Sequence, residues 1–123
     1  MQNITEAHRY IENAKEILRD KALKEDKYYK DAKYVKMAGN TAYNGVLVAL
    51  DGLFGEKKKG RKSVEWYKEE LSKIDKKMGN AFNTLHLDMG YDGLLSVKVA
   101  NIGFEEAEAI IDWVETKQEI VMN

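Results

Sequence analysis

The chain has 123 residues, no proline and no cysteine, with 44% hydrophobic and 33% charged residues and a formal net charge of −1. One compact domain over residues 1–123 is expected, since a chain of this size buries roughly two-thirds of its unfolded surface on folding. The empty cysteine column excludes disulfides and thiolate metal sites, the missing proline disfavours a turn-dense all-β chain, and the charge balance speaks against a generically basic nucleic-acid binder.

Apolar residues recurring at alternating steps of three and four mark one face of a helix. The first stripe, Ile4, Ala7, Ile11, Ala14 and Leu18, predicts a helix over about residues 4–25, fading near Lys24–Lys27, with Asn3 or Thr5 as its cap. The second, Tyr28, Ala32, Val35, Gly39, Ala42, Val46, Ala49 and Leu53, predicts a helix over about residues 28–54. Beside it run Tyr43, Leu47, Leu50 and Phe54, and Asp51 is the one charge between Met37 and Phe54. A helix apolar over so wide an arc is central to the fold or shared with another subunit. A homodimer through this helix, or through the face of Trp113, is therefore expected.

Gly55 to Lys62 breaks the pattern, and Ser63 is suited to cap the next helix. Val64, Tyr67, Leu71, Ile74, Met78, Ala81 and Leu85 predict an unbroken third helix over about residues 64–89. After the turn Gly90-Tyr91-Asp92-Gly93, Ser96 can cap a fourth helix over about residues 96–118, with Val97, Ala100, Phe104, Ala107, Ile111 and Val114 as its stripe. No alternating strand pattern is visible. The expected fold is all-α, an antiparallel up-and-down four-helix bundle.

Few residues carry obvious chemistry. Neither His8 nor His86 follows a glutamate by three positions and no HExxH occurs, so no metal or cofactor site is expected. Asn40, Asn44 and Asp51 follow one line of the second helix. They read first as an internal or subunit-interface network and second as the polar wall of a ligand cleft. Asn83, His86, Asp88 and Tyr91 close the third helix, where Asn83 and His86 share a face. His86, beside Phe82 and Met89, reads first as a packing residue and second as a functional one, and Asp88 points away from it unless the helix ends first. The run Lys57-Lys58-Lys59-Gly60-Arg61-Lys62 reads first as a solvated loop and second as a contact for phosphates or an acidic partner. It belongs to the basic part of the chain: residues 1–87 carry 18 basic and 13 acidic side chains, residues 88–123 carry 2 and 8. No charged start precedes an apolar run, and Asn40, Asn44, Asp51 and glycines interrupt the one long weakly charged stretch. A cytoplasmic protein without a membrane partner is expected.

The run from Asp31 to Leu50, the first-helix ending Ala14-Lys15-Glu16-Ile17-Leu18, and the last-helix segments Gly103-Phe104-Glu105-Glu106-Ala107 and Ile110-Ile111-Asp112-Trp113-Val114 resemble the HEPN superfamily of small bacterial and archaeal four-helix domains. Lys59-Gly60-Arg61-Lys62-Ser63 and Leu85-His86-Leu87-Asp88-Met89-Gly90-Tyr91-Asp92-Gly93 are similar to uncharacterised bacterial members. The resemblance implies an up-and-down bundle, frequent dimers, and roles in RNA cleavage or in toxin–antitoxin and nucleotidyltransferase pairs. Ribonuclease members carry an arginine a few residues before a histidine. The matching positions before His86 hold Gly79, Asn80 and Ala81, so that motif is missing.

Two functions are expected. The first is a non-catalytic interaction or binding module, homodimeric, acting on a ligand or protein partner. The second is a metal-independent RNA- or nucleotide-processing enzyme. There His86 would move the proton, Asn83 and Tyr91 would position the substrate, and Lys57, Lys58, Lys59, Arg61 and Lys62 would hold phosphates.

Overall fold

The computed structural model describes residues 2–55, 63–85 and 97–122, and most of them are helical. The order is α1 (Gln2–Ile17), a π-helical turn (Leu18–Ala22), β1 (Lys24–Glu25), β2 (Tyr28–Tyr29), α2 (Ala32–Phe54), α3 (Val64–Ile74), α4 (Lys76–Leu85) and α5 (Val97–Met122). Among the described residues the protein is all-α apart from one small hairpin.

The first stripe is buried throughout, with Ile4, Ala7, Ile11, Ala14 and Leu18 no more than 5% exposed. It does not remain α-helical to residue 25. From Leu18 the helix widens into the π-turn, which ends at Leu23 with φ at 55°. Asp26 is also left-handed, at 57°, and between them the chain reverses so that Lys24 pairs with Tyr29 and Glu25 with Tyr28. Strands of two residues are too short for an alternation to register, which is why the hairpin escapes the sequence pattern. The Lys30 and Asp31 amides donate to the Ala22 carbonyl, satisfying a group that the end of the π-turn would otherwise leave open.

α2 consequently starts at Ala32 rather than Tyr28. Asp31 is its cap, in extended backbone, with its carboxylate accepting from the Lys33 amide at 3.1 Å. Val35, Ala38, Ala42, Val46, Leu47, Ala49 and Leu50 of α2 are all buried, covered within the chain by α1 and α5. Gly45 is a point of close approach: a Cβ there would lie 2.8 Å from Tyr10 Cβ and 3.0 Å from the Ala7 carbonyl oxygen. Asn3 sits against Gly52 and donates to the Val48 carbonyl at 3.1 Å. Early α1 thus meets late α2, so the two helices run antiparallel.

The unbroken third helix is corrected. Asp75 adopts extended backbone (φ −153°, ψ 106°) and ends α3. Its carboxylate then accepts from the Lys77 amide at 3.0 Å and the Met78 amide at 3.3 Å, starting α4. Of the predicted stripe Tyr67 and Leu71 enter the core and Ile74 beside the break is 51% exposed, while past the break the buried side chain is Phe82, which the stripe did not include. Gly79 permits the fold-back, since a Cβ there would collide with Ser72.

An aromatic chain ties this pair to α2. Phe54 meets Trp66 edge-on at 5.5 Å, Trp66 meets Tyr67 at 5.3 Å, Tyr67 meets Phe82 at 6.1 Å, and Phe82 returns to Tyr43 of α2 at 5.7 Å. The Tyr67 hydroxyl donates to Asp51 at 2.6 Å. α5 completes the core with Ala100, Phe104, Ala107, Ile110, Ile111 and Val114. Among the described residues no helix is long and apolar enough to cross a membrane.

Candidate functional site: a charged cleft between α1 and α5

Two small buried residues set the seam between the first and last helices. Ala14 and Ala107 are both 0% exposed, and each is followed by a charged residue that reaches across the seam. Lys15 Nζ donates to Glu108 Oε1 at 2.6 Å. Further along, His8 lies beside Asp112 and Glu115. Rising numbers on α1 thus face falling numbers on α5, an antiparallel seam.

Beyond the Lys15–Glu108 pair the π-turn and the hairpin open this seam into a cleft of about 360 Å³. Lys15, Leu18 and Arg19 form one wall, Tyr29 of β2 closes one side, and Asn101, Phe104, Glu105 and Glu108 form the α5 wall. Leu18 and Phe104 are each 5% exposed and make an apolar floor. Arg19 is held by Asp20 at 3.2 Å. A π-turn in a helix is often found at functional sites, because it redirects side chains that a regular ladder would keep in register.

The electrostatics favour fixed charge over proton transfer. The hydrogen bond that Lys15 donates to Glu108, with the charges of Glu108 and Glu12, raises Lys15 above its ordinary value, although partial burial opposes this. Burial raises the Tyr29 phenol as well. Acid–base catalysis works best with a group titrating near the operating pH, and both shifts lead away from neutrality. Among the described residues, no serine, threonine, cysteine or histidine lines the cleft.

Those residues singled out from the sequence that the structure describes lie elsewhere. Asp51 is half-buried and accepts the Tyr67 hydroxyl, Asn44 is half-buried, and Asn40 is exposed at the solvent side of α2. Asn83 is half-buried on α4. His86, Asp88, Tyr91 and the basic positions Lys57, Lys58, Lys59, Arg61 and Lys62 lie outside the described residues. Trp113 is half-buried, with Lys117 Nζ 5.6 Å from its ring centroid. The cleft residues escaped sequence reasoning because Lys15 and Glu108 are 93 positions apart. A usable signal was present: each follows an alanine in its stripe, where a small side chain leaves the neighbour free to reach across.

Fold and cleft together define a small helical protein with a preformed polar groove, and residues 2–116 match the family described as a domain of unknown function, DUF5618. The chain belongs to that family. It is similar to a solved structure, a protein of unknown function from Dyadobacter fermentans, with 55% identity and a TM-score of 0.87 over 94% of this chain and 96% of that chain. No curated protein matches it.

Proposed function

We propose that the protein is a non-catalytic binding module whose ligand sits in the α1–α5 cleft. The observation that supports this reading is the cleft itself: a preformed concavity of about 360 Å³ with an apolar floor and fixed charges of both signs. That volume falls within the range of about 300–1,000 Å³ found for small-molecule sites. The chemistry suits a ligand bearing a charged group on an apolar body. Under the same proposal α3 and α4 together take the place of one helix, so that the chain is a HEPN-like up-and-down bundle of four helical positions. Pairing of two copies uses the Trp113 face, because the apolar arc of α2 is already filled from within the chain.

A thermal-shift screen of the intact chain against nucleotides, short RNAs and amino-acid derivatives tests the binding claim, since a ligand specific to the folded state raises its melting point. The expected hit is lost in Lys15→Met and Glu105→Gln. A hit that survives both substitutions contradicts the site. Cleavage of mixed RNA in chelator, abolished by His86→Ala, contradicts the non-catalytic reading. Persistent monomers at high micromolar concentration in sedimentation contradict the pairing.

A further inference from the structure

His8 on α1 faces Asp112 and Glu115 on α5, and one nitrogen or oxygen atom from each lies within 4.8 Å of the other two. The convergence has simple causes. Asp112 and Glu115 are three residues apart on one helix and share a face, and the antiparallel seam that pairs Lys15 with Glu108 brings residue 8 opposite them. His8 and Glu115 are half-buried and Asp112 is exposed, so the group is reachable from solvent. None of the three side chains has a hydrogen bond or ion pair among the described residues. Two carboxylates so placed repel each other, and no lysine or arginine of the described residues offsets them by an ion pair. A divalent cation would satisfy all three groups together.

We propose that His8, Asp112 and Glu115 bind a first-row divalent cation of the zinc class, bridging α1 and α5. One imidazole nitrogen and two carboxylate oxygens form a donor set that zinc accepts at about 2.0–2.2 Å, with a further position left for water. Drawing the three atoms, within 4.8 Å of one another, to zinc's ligand distance takes movement on the order of 1 Å. Seven residues separate His8 from Lys15, about 10 Å along a helix, so this site is distinct from the cleft and does not depend on the cleft being occupied. The local motifs for metal sites miss it because its ligands come from opposite ends of the chain.

The test is calorimetric titration of zinc sulfate into the full chain after chelator treatment and dialysis. The expected result is one equivalent per chain, with affinity weakened about tenfold or more by each of His8→Ala, Asp112→Asn and Glu115→Gln. Metal-free melting curves should match the parent for His8→Ala and match or slightly exceed it for Asp112→Asn and Glu115→Gln, which relieve the carboxylate repulsion, and this separates loss of a ligand from loss of fold. Cobalt(II) in place of zinc should give a visible absorption that His8→Ala abolishes. Absence of saturable binding overturns the proposal. Undiminished binding in His8→Ala overturns it too, as does loss of binding in His86→Ala or in the distant Glu65→Gln.

Discussion

Toward α2, helix α1 presents surfaces so close that Gly45 has only Tyr10 Cβ at 2.8 Å and the Ala7 carbonyl at 3.0 Å from where its own Cβ would be. Toward α5, the same helix presents His8 and Lys15, an ion pair whose partners are 41% and 39% exposed, and, with Arg19 of the π-turn that follows it, a cleft. Two seams of one helix therefore obey different physics. The first excludes water and depends steeply on volume, because close-packed groups lose their contacts or collide over a fraction of an ångström. The second keeps its polar groups near water, where charge contributes little to stability and is free to serve recognition. On the proposed reading, stability and binding fall to opposite sides of α1.

The strongest way to break the comparison is to overfill the tight seam. Gly45→Val should lower stability by about 3 kcal/mol, as overpacking does in a full core, and should cut the melting point by about 10 °C for a chain this long. Urea unfolding checks it, and a neutral result would mean that the seam has slack. Next, Tyr67→Phe removes the 2.6 Å hydrogen bond to the half-buried Asp51 carboxylate and should cost about 1–2 kcal/mol by chemical denaturation. Asp75→Ala, which takes the cap from α4, should cost about 1 kcal/mol. Far-UV circular dichroism should show helix content held or raised as the break between α3 and α4 weakens.

The break at Asp75 also shows where sequence reading stops. Apolar period reports which side chains face the core: it held for Tyr67 and Leu71, both buried, and missed Phe82, buried after the break but outside the stripe. It says nothing of the backbone between them, so a single aspartate capping a new helix passed unnoticed. The start of α2 moved for a related reason: Tyr28 fits the stripe but is 61% exposed in a hairpin strand, placed there by the left-handed Leu23 and Asp26. The wide arc of α2 was legible, and its cover proved to be the chain's own α1 and α5. The cleft was not legible, because Lys15, Tyr29 and Glu108 come from three elements and no local spacing joins them.

The smallest effect is expected on the charged seam. Lys15→Met should change stability by less than about 1 kcal/mol at neutral pH, since both partners of the pair are solvent-screened. The sign with pH is definite. Folding raises Lys15 above its ordinary 10.5, so its contribution is complete below that value and fades as pH rises beyond it. The gap between parent and Lys15→Met should therefore narrow in alkaline solution, read as denaturation midpoints at neutral and high pH. A gap that widens would mean that the Glu108 pairing is not what holds the charge.

The division of labour on α1 is tested most directly by melting the parent, Gly45→Ala and His8→Ala with and without a modest excess of zinc sulfate. Gly45→Ala should melt earlier than the parent yet keep the full zinc-induced rise. His8→Ala should melt with the parent and lose that rise. If Gly45→Ala also loses the rise, or His8→Ala also melts early, the two seams are not separable and the division of labour on α1 is contradicted.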